Sequence, residues 1–192
     1  MTDAPNIFVA GLGRCGTTLV MTMLDRGGFP VVGSRPAYEL DEMRPGQHQE
    51  ATLRQMRGRA VKWIDPTAFP VPIGTRALTV WMHRDPIQQA RSQMKLLGLE
   101  ANRQDARRMA ARLRADELRA RETVRRLGPV LDIAFESILQ DPTGTAIRLS
   151  VFLEGHGKLE TAPAASVVIP RSPLCAPDLS IEFHLMREAG HV

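Results

Sequence analysis

The segment from Asn6 to Gly28 constrains the fold more than any other part of this 192-residue chain. It begins with a short apolar run, Ile7 to Ala10, passes through a glycine-rich turn at 11–16, and continues from Thr17 with the spacing of an amphipathic helix. Glycines allow backbone N–H groups to approach oxygen atoms closely, and the N-terminus of a helix adds partial positive charge. The segment therefore predicts a strand, a turn and a helix that together cradle a phosphate or sulfate group.

The composition of the turn narrows the choice of anion. Gly11 and Gly16 have the spacing of the nucleoside-triphosphate P-loop, G-x-x-x-x-G-K-[ST]. However, Thr17 stands at the position of the P-loop lysine, and the only cation in the turn is Arg14. A triphosphate site without that lysine lacks the charge that reaches the β and γ phosphates. The turn thus argues against ordinary ATP or GTP hydrolysis.

A cation followed by a small residue and then Gly-Thr-Thr resembles the 5′-phosphosulfate loop of the sulfotransferases. Cys15 takes the place of the more common serine in this pattern, so one hydroxyl donor is missing. The resemblance implies a donor-binding loop made of Gly13, Arg14, Cys15, Gly16, Thr17 and Thr18.

A second segment, Ala77 to Leu97, strengthens the resemblance. An apolar run ends in His-Arg-Asp-Pro, where Asp85 is suited to cap a helix and Pro86 to occupy its first turn. Arg84 at the strand end and Ser92, eight residues later, are similar to the pair with which sulfotransferases grip the 3′-phosphate of the donor nucleotide. An arginine supplies a forked, permanently charged donor, and a serine adds a hydroxyl.

A third segment resembles part of the same family. The stretch from Val130 to Gly155 looks like the strand, acidic turn and Asp-Pro helix start that are common in its members. With the first two segments, the resemblance covers most of residues 6–155. Arg171 is a candidate for a late contact to the 3′-phosphate, although the usual Arg-Lys-Gly loop is absent.

The resemblance implies transfer of a sulfuryl group from 3′-phosphoadenosine 5′-phosphosulfate (PAPS) to a hydroxyl or amine, without a metal ion. Arg14, at the position of the family's loop cation, would stabilise charge on the bridging oxygen. For the general base, the sequence around Gly33 to Glu39 looks like the bacterial arrangement and nominates Glu39. Glu42 and His48 remain alternatives. The acceptor would be a small molecule, a carbohydrate or a lipid.

Composition agrees with a single enzyme domain over residues 1–192, of undetermined oligomeric state. The hydrophobic fraction is 43%, the charged fraction 24% and the formal net charge +4. Two cysteines imply no disulfide framework and, with no signal pattern or membrane-spanning run, favour the cytoplasm.

Much of the basic excess lies in a helical pattern at 102–127, with Leu113, Leu118 and Leu127 expected to face inward. Interleaved acids and only 5% aromatic residues argue against nucleic-acid binding.

Strand and helix patterns alternate along the chain. Strands are expected at 7–10, 29–33, 60–64, 77–83 and 130–135, and helices at 17–26, 86–97, 102–127 and 142–153, with 36–59 and 154–180 irregular. This order predicts an α/β domain with a mainly parallel central sheet, of the three-layer, P-loop-like type, with ligands at the carboxyl ends of the strands. Two function classes follow: a PAPS-dependent sulfotransferase, and a P-loop kinase or nucleotide-binding module in which Asp85 would hold Mg²⁺.

Overall fold

A computed structural model of the chain describes residues 4–40, 50–99 and 102–169. The described strands are β1 (Asn6–Gly11), β2 (Ala60–Ile64), β3 (Ala77–His83) and β4 (Val130–Ala134). They form one parallel sheet in the order β2-β1-β3-β4. The α/β class and the parallel sheet are therefore confirmed, and β1, which carries the glycine turn, lies in the middle of the sheet.

The helices cover the two faces of this sheet. Their bounds are α1 (Thr17–Arg26), α2 (Glu50–Gln55), α3 (Pro86–Leu96), α4 (Arg103–Arg125), α5 (Phe135–Gln140), α6 (Pro142–Phe152) and α7 (Thr161–Ser166). One core joins α1, α5, α6 and α7 to alternate strand residues such as Ile7 and Val9. The other core joins α2, α3 and α4 to the intervening residues, such as Phe8 and Ala10. Every residue of β1 is buried because helices cover both faces, as expected for a parallel sheet.

The strand predicted at 29–33 is wrong. Only Val31 pairs with Ala60, as an isolated bridge. Pro30 has no N–H to donate to a ladder, and the chain leaves the sheet edge at Gly33, whose φ is +86°. The segment contributes backbone hydrogen bonds to Ala60 but no full strand.

Three other predictions fail in detail. The strand predicted at 130–135 ends at Ala134, because Phe135 begins α5, a short helix that the pattern did not indicate. Leu118 is 73% exposed, whereas Leu113 is buried. The predicted inward face of α4 included Leu118, but small residues such as Ala120 provide the contacts on that stretch. The regions expected to be irregular contain two short helices, α2 and α7.

Candidate functional site

The turn between β1 and α1 has the close-packed backbone of an anion-binding loop. Gly16 has φ of +105°, and a Cβ there would lie 2.6 Å from a ring carbon of Phe135. A Cβ on Gly11 would lie 2.4 Å from the sulfur of Cys15. Arg14 itself occupies the left-handed region, with φ of +67°, which is uncommon for a residue with a side chain. No side chain caps α1 at Gly16, so its N-terminus is open to an anionic ligand.

Hydrogen bonds from two neighbouring elements fix the loop. The N–H of Gly13 donates to Asp65 Oδ1 just beyond β2 (3.2 Å), and Gln89 Nε2 of α3 donates to the carbonyl of Gly13 (2.7 Å). Arg14 Nε donates to Ser92 Oγ at 3.1 Å. Gln89 and Ser92 lie on one face of α3, three residues apart, and both are buried. The structure thus brings together Arg14 and Ser92, which the sequence analysis assigned to opposite ends of one donor.

Arg84 lies at the end of β3, next to the strand that carries the loop. It is buried, and its guanidinium carbon lies 4.4 Å from the centre of the Phe135 ring. Asp85 caps α3 by accepting a hydrogen bond from Gln88 N at 2.9 Å, as predicted. Since Phe135 also packs against Gly16, a single ring supports both the loop and the arginine.

Lys62 is a site residue that the sequence analysis missed. Its side chain is only 4% exposed, and its Nζ donates to Thr18 Oγ1 (2.9 Å), the carbonyl of Ala37 (2.8 Å) and Glu39 Oε1 (3.0 Å). In the sheet it stands opposite Val9, so its ammonium group approaches the start of α1 from the neighbouring strand. A lysine inside the apolar run AVKWI was the available signal, because a buried charge requires partners.

Glu39 is linked to the loop through Lys62. Its side chain remains 59% exposed although it pairs with the buried Lys62. The segment that carries it is clamped to α1: Asp25 Oδ2 accepts from Arg35 Nε at 2.7 Å and from the Tyr38 hydroxyl at 2.8 Å. Burial of the Tyr38 side chain within this clamp raises the pKa of its hydroxyl.

Burial shifts two other titratable groups beside the loop. It raises the pKa of the Cys15 thiol to about 12, so Cys15 is a small packing residue and not a reactive thiolate. Burial is also the main reason why the pKa of Asp65 is raised, although the hydrogen bond from Gly13 N–H opposes the shift. Asp65 has φ of +52° and, like Arg14 and Tyr38, occupies the left-handed region.

Some of the predicted residues lie outside the described part of the chain, namely Arg171, Glu42 and His48. Within the described ranges, no group of three or more His, Cys, Asp or Glu side chains is arranged to hold a metal ion. None of the helices described is both long and apolar enough to cross a membrane.

The fold is shared with solved sulfotransferase structures. A mouse sulfotransferase, SULT7A1, complexed with PAP superposes with a TM-score of 0.54 at 16% identity over 84% of this chain. Retinol dehydratase, in complex with androsterone and inactive cofactor PAP, superposes with a TM-score of 0.57 at 18% identity over 97% of this chain. The chain spans 63% and 66% of the lengths of these two proteins. No protein-family model and no curated sequence matches the chain. The structural likeness establishes the class: an α/β domain with the fold of these sulfotransferase structures.

Proposed function

We propose that this protein is a sulfotransferase that moves a sulfuryl group from PAPS to a hydroxyl or amine acceptor. The observation that carries the proposal is the hydrogen bond between Arg14, the only cation of the anion loop, and Ser92, on the helix that follows Arg84. This contact links the loop to the helix that follows Arg84, and Arg14 and Arg84 lie at the ends of adjacent strands. Two such cationic positions are suited to a donor with one anionic group at each end. The proposal is supported by PAP in both structural relatives described above.

The donor's two anionic ends would have separate partners. At the 5′ end, the phosphosulfate would contact Arg14 and the backbone around Gly13, Cys15 and Gly16, with the hydroxyls of Thr17 and Thr18 alongside. At the 3′ end, the phosphate would contact Arg84 and Ser92. Arg171 is proposed as an additional contact at this end.

The chemistry needs charge stabilisation and one proton acceptor. The bond between sulfur and the bridging oxygen breaks with its electron pair left on that oxygen, while a bond from the acceptor oxygen or nitrogen to sulfur forms. Arg14 and, through its place beside Thr18, Lys62 would stabilise the developing negative charge. Glu39 would take the acceptor's proton. The proposed acceptor is a small molecule, a carbohydrate or a lipid, and the proposed compartment is the cytoplasm.

A P-loop kinase or nucleotide-binding module is the second candidate. One observation favours it: Lys62 reaches the second threonine of the loop from the neighbouring strand, so a cation is present although Thr17 replaces the usual P-loop lysine. A kinase of this type would need Mg²⁺ to transfer a phosphoryl group.

A ligand comparison by thermal shift separates these two functions. The probes are 3′,5′-adenosine bisphosphate, ADP and ATP, each with and without Mg²⁺, followed by an assay of sulfuryl transfer from PAPS to a panel of acceptors. For a sulfotransferase, the bisphosphate raises the unfolding temperature most, since binding to the folded state alone stabilises it, and Mg²⁺ makes no difference. Preferential, magnesium-dependent stabilisation by ATP would instead favour the kinase.

The 3′-phosphate assignment predicts a selective loss of affinity in Arg84→Ala. Removing one charge-assisted contact should weaken 3′,5′-adenosine bisphosphate by about 1.5–3 kcal/mol. Binding of adenosine 5′-monophosphate, which lacks the 3′-phosphate, should change much less. Calorimetric titration of both ligands measures the difference.

Because Arg84 is buried over Phe135, the Arg84→Lys variant is the matched control for packing. It keeps the charge and loses the forked geometry, so it should bind the bisphosphate better than Arg84→Ala. Equal weakening of both nucleotides by Arg84→Ala would rule out the assignment.

A further inference from the structure

One face of α1 carries three polar side chains. Thr18, Thr22 and Asp25 are spaced four and three residues apart, which places them on the same side of the helix. Lys62 Nζ donates a hydrogen bond to Thr18 Oγ1, and the Tyr38 hydroxyl donates one to Asp25 Oδ2. Burial raises the pKa of the Tyr38 hydroxyl, and a hydrogen bond with the Thr22 side chain opposes part of the shift. The polar face of α1, which begins at the anion loop, therefore packs against the segment that contains Tyr38.

The segment from Gly33 to Glu39 is held in a tight turn. Tyr38 N donates to the carbonyl of Ser34 at 2.8 Å, and a Cβ on Gly33 would lie 2.9 Å from the carbonyl carbon of Tyr38. Tyr38 has φ of +54°, a conformation that a bulky residue adopts only when surrounding contacts fix it. Its side chain is buried, and its hydroxyl lies 2.8 Å from Asp25 Oδ2. Asp25 therefore anchors the turn to α1.

Lys62 anchors the same turn from the neighbouring strand. Its Nζ donates to the carbonyl of Ala37 at 2.8 Å and to Glu39 Oε1 at 3.0 Å, so it holds the residues on both sides of Tyr38. The Glu39 carboxylate thus has two attachments: its own ion pair with Lys62, and the anchoring of the preceding residue on α1. An ion pair that is open to solvent on one side fixes a side chain only loosely, so the second attachment determines where the carboxylate lies.

We propose that Tyr38, anchored by Asp25, is a positioning residue that holds the Glu39 carboxylate in place for sulfuryl transfer. That place is next to Lys62, which also contacts the anion loop at Thr18. The Tyr38 hydroxyl does not itself react, because it is buried against α1 and directed at Asp25. It acts through the placement of the base, and displacement of a reacting group by about 1 Å can lower a rate by about two orders of magnitude. The inference rests on the proposed function, because it assigns residues that act through the proposed base.

The first test is the variant Tyr38→Phe, which removes the hydroxyl and keeps the ring in the core. Sulfuryl transfer is measured at saturating PAPS, with an active acceptor from the panel and with water, the acceptor that is always present. The maximal rate should fall about tenfold, because the base is no longer held in place. The affinity for 3′,5′-adenosine bisphosphate, measured by calorimetric titration, should stay within about twofold, since the anion loop is unaltered.

The decisive comparison adds Tyr38→Phe to Glu39→Gln. If Tyr38 acts only through Glu39, the second substitution should lower the residual rate by less than about twofold. Thr145→Val is the matched control, because it removes a hydroxyl from a buried residue of α6. It should leave the rate unchanged even where it lowers the unfolding temperature. An unchanged rate in Tyr38→Phe, the same loss in the Glu39→Gln background, or an equal loss in Thr145→Val would overturn the inference.

A spectroscopic measurement tests the anchor without any transfer. Tyr38 is the only tyrosine of the chain, so isotopically labelled tyrosine gives one nuclear magnetic resonance signal for the ring carbon that bears the hydroxyl. This signal should shift in Asp25→Asn, which removes the charge beside the hydroxyl, and should not shift in Glu50→Gln. An unshifted signal in Asp25→Asn would also overturn the inference. Failure of the proposed function is distinct, because it appears in the wild-type protein as absent transfer from PAPS and no stabilisation by 3′,5′-adenosine bisphosphate.

Discussion

Replacing Arg14 by alanine is expected to lower the turnover number by about two to three orders of magnitude, the scale found when one preorganised donor to developing charge is removed. Arg14 is the cation inside the anion loop, and its backbone and its bond to Ser92 hold it there. The donor should still bind, because the loop N–H groups and the proposed 3′-phosphate contacts remain. Steady-state rates with PAPS and an active acceptor measure the loss of turnover. A separate binding measurement tests whether donor affinity is preserved.

Two controls accompany the Arg14 experiment. Arg14→Lys keeps a cation at this position and should retain more activity than Arg14→Ala. Ser92→Ala removes the hydrogen-bond partner of Arg14 while leaving the guanidinium in place, so it should lower donor affinity more than the maximal rate. Unchanged turnover in Arg14→Ala would leave Arg14 without a catalytic role.

For Glu39→Gln, the expected result is a fall in the maximal rate by about two orders of magnitude with donor affinity preserved. General base catalysis contributes on this scale, and the amide keeps the shape of the side chain but cannot take the proton. The amide oxygen can still accept a hydrogen bond from Lys62 Nζ, so the buried ammonium group retains its partners, including Thr18 and Ala37. Single-turnover rates measure the rate of transfer. Thermal shifts with 3′,5′-adenosine bisphosphate measure whether nucleotide binding is preserved.

Glu50→Gln is the matched control for Glu39→Gln. Glu50 is also exposed, and its ion-pair partner, Arg54, lies on the same short helix. Its substitution should leave the rate unchanged. If Glu39→Gln retains near-normal activity, the base is one of the alternatives, Glu42 or His48.

The local features of the site were available from sequence because neighbouring residues create them. The apolar run before Gly11, the turn around Gly16 and the start of α1 follow from side-chain spacing and glycine conformation alone. Asp85 and Pro86 likewise mark the start of α3, because capping and the fixed φ of proline act within one turn. These elements were enough to predict a parallel α/β sheet and an anion loop at the carboxyl end of one of its strands.

Only the tertiary structure decided which distant residues complete the site. Lys62 meets Thr18 because β2 pairs with β1 in a register that places Lys62 opposite Val9. Asp65 reaches Gly13 through the same pairing, and no periodicity within either segment encodes it. The strand register and the position of α3 beside the loop depend on the packing of the two cores. The sequence by itself thus determined the α/β class and the turn that we propose to bind an anion, and packing decided which side chains surround that turn.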